Sequence, residues 1–153
     1  MIDIKELSQF RIFKGLNERE LELIAKIATK KVHEPGARLF EEKALATDLY
    51  LVLDGKVEIK IRGNEETQVV IDQIEAGEIF GWSVVAEPYT FTAAAWTLEK
   101  TKLIVLNGER LRDLFEKNNH IGYRIVKEIT AVVSRRLKAM ETKFVSMMHQ
   151  VKE

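Results

Sequence analysis

The stretch Leu49-Tyr50-Leu51-Val52-Leu53-Asp54-Gly55-Lys56-Val57-Glu58-Ile59-Lys60-Ile61-Arg62 decides the fold. Leu49, Leu51 and Leu53 recur at every second position up to the turn pair Asp54-Gly55, and Val57, Ile59 and Ile61 then alternate with Lys56, Glu58, Lys60 and Arg62. A period of two puts alternate side chains on opposite faces, one buried and one wet, so two strands joined by a tight turn are predicted. Gly63-Asn64 marks the next turn. Further strands are predicted at Arg38-Leu39-Phe40 and over 67–74, 91–97 and 102–106, each bounded by a turn signal. Short strands at close, regular spacing indicate a sandwich or roll.

Helical periodicity flanks this region on both sides. Leu21, Ile24, Ala25 and Ala28 share a helical face, with Asn17 as N-cap and Glu20 placed to complete a capping box, so a helix is predicted from Asn17 to about Lys30. Before it, Phe10, Ile12, Phe13 and Leu16 around Gly15 form an apolar lead-in that folds back on the domain. Beyond Asn107-Gly108 a short helix over 109–117 is followed, after Asn118-Asn119, by one uninterrupted helix reaching nearly to the end. The reading is a single domain over 1–153, mainly β with flanking helices. It comprises an N-terminal helix, a jelly-roll-like double-stranded β-helix (a β-roll) over about 31–107, and a long C-terminal dimerisation helix over about 119–151.

In that last helix Val126, Thr130, Val133, Leu137, Met140, Phe144, Met147 and Val151 alternate four-then-three spacing, the seam of a coiled coil. Near Ile121 to Ile129 the helix is expected to serve both its own roll and a partner. Past about Met140 it outruns a roll of this size, because each residue adds about 1.5 Å. A parallel homodimer through Val126, Val133, Leu137, Met140, Phe144, Met147 and Val151 is the expected cover. Arg135, Arg136 and Lys138 are expected on a solvated face, with Arg136 the cation able to swing inward.

Composition narrows the function classes. Lys plus Arg and Asp plus Glu both number 24 in 153 residues, so no overall charge draws the chain to nucleic acid or an anionic membrane. Cysteine is absent, which removes disulfides, thiolate metal sites and a thiol nucleophile. The first residues do not form a signal peptide and no apolar run spans a bilayer, so a cytoplasmic protein is expected. His33, His120 and His149 fall in unrelated places, and Ser83 has no His or Lys beside it. A metal centre and a nucleophilic active site are therefore not expected, and no catalytic residue is assigned.

The order of lead-in helix, β-roll, short helix and long helix resembles the cyclic-nucleotide-binding domain family, which includes catabolite activator proteins and the regulatory subunits of cyclic-AMP-dependent kinases. The resemblance rests on Glu34-Pro35-Gly36, Val52-Leu53-Asp54-Gly55-Lys56-Val57 and Gly77-Glu78-Ile79-Phe80-Gly81, and on the order of elements over the rest of the chain. It implies that 81–95 is a phosphate-binding cassette, whose backbone N–H groups face a cyclic phosphate as at a helix N-terminus. The pocket implied contains Phe80, Gly81, Trp82, Ser83, Val84, Tyr89 and Thr90.

Two positions depart from the family's pattern. Trp82 stands where the family has the glutamate that accepts from the ribose, and Tyr89 follows Pro88 where the family has the arginine that pairs with the phosphate. From Ile79 to Glu99 there is no Lys or Arg. Each hydrogen bond to a charged group contributes about 1.5 to 3 kcal/mol, so losing both should weaken the family's mode by two or more decades. Trp82 and Tyr89 either plug the space or stack on an aromatic or uncharged ligand.

The resulting expectation is a regulatory or sensor module that does not bind cyclic AMP in the standard mode and signals through a homodimer and a protein partner. No cofactor is certain, although a small-molecule effector is compatible with the pocket. The alternatives are a genuine cyclic-nucleotide-binding protein with an atypical pocket and an effector-domain fragment of a transcription regulator. No recognition helix follows the long helix before Glu153, so direct DNA binding is not expected, nor is membrane binding.

Overall fold

The structure, a computed structural model, describes residues 2–64 and 66–152. Helix α1 (Ile4–Ser8), a single 3-10 turn at Arg11–Phe13 and helix α2 (Glu18–Lys26) lead into the roll. Its strands are β1 (Ala28–His33), β2 (Arg38–Phe40), β3 (Asp48–Asp54), β4 (Lys56–Arg62), β5 (Gln68–Glu75), β6 (Ile79–Phe80), β7 (Ala94–Thr97) and β8 (Thr101–Asn107). Helices α3 (Gly108–Lys117) and α4 (Asn119–Lys152) follow. The strands form two antiparallel four-stranded sheets, in the orders β1-β8-β3-β6 and β2-β7-β4-β5. This is the expected β-roll between an N-terminal helix and a long C-terminal one.

Strand β3 shows how the layers are built. Leu49 and Leu51 pack with Ile104, Leu106 and the helical residues Leu7, Ile24, Leu111 and Ile125. Tyr50 and Val52, on its other face, pack with Val57, Phe80, Ala95 and Leu103 inside the roll. The first sheet is therefore sandwiched between the helices and the second sheet, which is why β3 is buried on both faces. Its turn into β4 requires Gly55, at φ +110° with Thr101 Oγ1 2.5 Å from where a Cβ would sit.

Two sequence expectations change. The helix predicted to reach Lys30 ends at Lys26, because Ala28 to Lys30 pair with Leu106 to Ile104 as part of β1. Its capping box forms as expected, with Asn17 Oδ1 accepting from the Glu20 amide at 2.9 Å and Glu20 Oε1 from the Asn17 amide at 3.0 Å. The strand predicted from Phe91 begins at Ala94, since Phe91 sits in a loop and stacks on Phe40 with ring centroids 3.6 Å apart. The two-residue β6 is too short to have left a periodic signal.

Helix α4 contributes 34 residues. Ile121, Ile125 and Ile129 are buried in the helical layer, with Val132 and Val133 partly buried against it. Arg124 donates to the Lys14 carbonyl and Arg11 pairs with Glu128, tying the first half of α4 to the N-terminal segment. Further along, Leu137, Met140, Phe144, Met147 and Val151 are exposed, as is Val126 about three turns before Leu137. No helix among the described residues is long and apolar enough to cross a membrane.

Candidate functional site

The site begins where β6 ends. Phe80 is buried and stacks on Tyr50 with ring centroids 4.8 Å apart and planes within 6°. Burial, together with the Asp48 charge, pushes the Tyr50 phenol up to about 12, so it stays neutral at physiological pH. Gly81 then turns the chain at φ +83°, and a Cβ there would lie 2.9 Å from the Asp48 carbonyl and 3.0 Å from the Tyr50 ring. Only glycine takes that turn without strain. It opens a short 3-10 helix, Trp82–Val85.

A cavity of about 340 Å³ lies between this turn, the inner face of the second sheet and α4. Its walls are mostly apolar, from Phe40, Ile59, Ile61, Ile71, Phe80 and Phe91, with Met140 on the helix side. The cavity explains why Ile59 and Ile61, predicted on a buried face, keep partial exposure while Val57 is fully covered.

The charged groups come from β5 and α4. Arg136 of α4 reaches in, donating from Nη2 to the Ile79 carbonyl at 2.6 Å, with Nε 3.2 Å from Asp72 Oδ2. Its guanidinium lies 4.6 Å from the Trp82 ring centroid. Burial pushes this guanidinium down from its ordinary value, against the opposing pull of the Asp72 and Glu78 carboxylates. An arginine nonetheless keeps its charge in proteins. Its side chain is only 17% exposed, so the expectation of a solvated Arg136 is corrected: Asp72, the Ile79 carbonyl and the Trp82 ring together draw it inward.

A second arginine braces the segment after Gly81 from behind. Arg112 of α3 donates to the Val84 carbonyl at 2.7 Å and lies 4.3 Å from the Tyr89 ring centroid. The sequence carried no visible signal for this, because α3 and that segment are far apart in the chain.

Of the pocket residues predicted, Phe80, Gly81, Trp82 and Ser83 line the cavity. Val84 is buried in the helical-layer core, where it packs beside Gly108. Tyr89 and Thr90 lie outside the lining, with Tyr89 facing Arg112 and Thr90 bridged to Leu45. Sequence reasoning missed Asp72, Phe40 and Ile71 as wall residues. Met140, expected in the seam, also borders the cavity. Among the described residues, no group of three His, Cys, Asp or Glu side chains is placed to hold a metal.

An Arg-capped cavity behind a Phe-Gly turn, on a roll of this topology, coincides with a sequence match over residues 30–118 to the family described as "Cyclic nucleotide-binding domain". The chain belongs to that family. A crystal structure from Geobacter metallireducens, of a chain named as a cyclic nucleotide-binding protein, superposes with TM-score 0.80 at 31% identity, covering 90% of this domain and 99% of that one. The Thermus thermophilus catabolite activator protein superposes with TM-score 0.72 at 22% identity, over 90% of this domain and 63% of that chain, a likeness of fold. A Rhodopseudomonas palustris chain named as a potassium channel protein is 24% identical over 126 residues, which make up 82% of this cyclic-nucleotide-binding-type chain. This chain spans 30% of the length of that curated relative.

Proposed function

We propose that this cyclic-nucleotide-binding-type domain is a cytoplasmic regulatory module that does not hold cyclic AMP in its family's standard mode. It signals instead through a homodimer and a protein partner. One observation carries this reading: the cation at the cavity is Arg136, supplied by the long helix and already engaged by Asp72, the Ile79 carbonyl and Trp82. The cassette itself offers no basic side chain between Ile79 and Glu99. A cyclic phosphate entering here gains no uncommitted guanidinium, and an anion buried without one is strongly disfavoured.

The same turn of α4 supplies the output. Arg136 points into the cavity, while its neighbour Leu137 is exposed with Phe144, Met147 and Val151 further along the seam. A ligand that shifts this turn of α4 through Arg136 shifts Leu137 with it, and so the pairing with a second copy. The exposed apolar row is the surface that such a copy covers.

A second reading, cyclic-nucleotide binding in an altered mode, is favoured by family membership and by the presence of an open cavity in the family's position. Thermal unfolding with added cyclic AMP and cyclic GMP, run beside light scattering, separates the two. The first reading requires an unmoved transition and a particle of twice the chain mass. A concentration-dependent rise with either nucleotide supports the second reading, because a ligand held only by the folded state must raise the transition.

A further inference from the structure

Resting on the reading above, we infer that the cavity takes a neutral, largely apolar, ring-bearing molecule, and that the Arg136–Asp72 pair is the element that rejects anions. The two charged residues lining the cavity are Arg136 and Asp72, and they are paired with each other at 3.2 Å. The lining therefore carries no net charge. One face of the guanidinium is covered by Trp82 at 4.6 Å, and its Nη2 is held by the Ile79 carbonyl. An entering anion would have to compete with Asp72 for the same guanidinium while lying beside that carboxylate. A neutral molecule meets no such conflict.

The walls fit such a ligand. Phe40 and Phe91 stack on one another, and with Phe80, Ile59, Ile61 and Ile71 they form a continuous apolar surface. Ser83 and Thr92 are the hydroxyls along this lining, able to orient one or two polar atoms of a guest without requiring charge. At about 340 Å³ the cavity falls within the ordinary size range of small-molecule sites.

A matched pair of dyes with one aromatic skeleton tests this on the full chain: neutral N-phenyl-naphthylamine and anionic anilinonaphthalene sulfonate, followed by fluorescence. The neutral dye should bind with a Kd on the order of 10 µM, and the anionic dye about ten-fold or more weakly. Asp72→Asn, which leaves the guanidinium without its carboxylate, should improve the anionic dye about ten-fold and leave the neutral dye within about two-fold. Ala93→Leu and Met140→Trp, which narrow the cavity from opposite sides, should each weaken the neutral dye while the far-ultraviolet spectrum is kept.

Equal binding of the two dyes, neutral-dye binding untouched by either narrowing variant, or no neutral-dye binding at all overturns the ligand class. Those results leave the regulatory reading standing. Displacement of the neutral dye by micromolar cyclic AMP instead removes that reading as well, so the two failures can be told apart.

Discussion

The guanidinium of Arg136 lies 4.6 Å from the Trp82 ring centroid, joining the C-terminal helix to the turn that Gly81 opens. Trp82 thus offers a flat surface that holds the helix down. Removing the cation should free both partners. Arg136→Ala loses the stack, the bond to the Ile79 carbonyl and the partly exposed pair with Asp72, at a combined cost of about 1 to 3 kcal/mol. Urea unfolding measures that cost, and Trp82 emission should shift to the red as water reaches the ring.

Arg112 should matter for the 82–90 segment alone. Arg112→Ala deletes the bond to the Val84 carbonyl and the stack on Tyr89, and about 1 to 3 kcal/mol of stability is expected to go with them. Tyr89→Phe keeps the ring and should change stability by less than about 0.5 kcal/mol. Hydrogen exchange across 82–90 should speed up in the first variant and stay unchanged in the second.

The turn itself is vulnerable at one atom. Gly81→Ala combines a left-handed backbone with contacts of 2.9 Å to the Asp48 carbonyl and 3.0 Å to the Tyr50 ring. A loss of about 2 kcal/mol or more is expected, and a lowered urea midpoint at unchanged slope is the check.

Acid should act through Glu20, which is buried and lies 2.6 Å from His120 Nδ1. Burial pushes its carboxyl up, but the His120 hydrogen bond, the Asn17 amide and the His120 charge together hold it below the usual carboxylate value. A carboxyl depressed in the folded state binds its proton more readily when unfolded. Its stabilisation is therefore complete above the unfolded value and is lost as pH falls through the folded one. Stability measured from neutral pH into the carboxylate range should fall less steeply in Glu20→Gln than in the parent.

Much of the fold was legible because it rests on local signals. The Asn17–Glu20 capping box and the turn at Gly55 are short-range patterns that survive in three dimensions, and the run from Val57 to Ile61 forms the strand its period of two predicted. Strand β1 was not legible, since Ala28 to Lys30 continue a helical pattern and become a strand only by pairing with β8, more than 70 residues away. The site divided the same way. Phe80 to Ser83 were found from the motif around Gly81, whereas Asp72 and Arg136 meet only through tertiary packing. An arginine in a charged helical run gives no sign of its direction until the Ile79 carbonyl and Trp82 are in place.

The dissociation constant for cyclic AMP, measured by calorimetry on the parent chain and on Asp72→Asn, bears most directly on whether the cavity refuses a cyclic phosphate. The parent should show no heat of binding at micromolar nucleotide, and Asp72→Asn, which releases the Arg136 guanidinium from its carboxylate, should gain about one decade in affinity. Micromolar binding by the parent, unimproved in Asp72→Asn, would contradict the account.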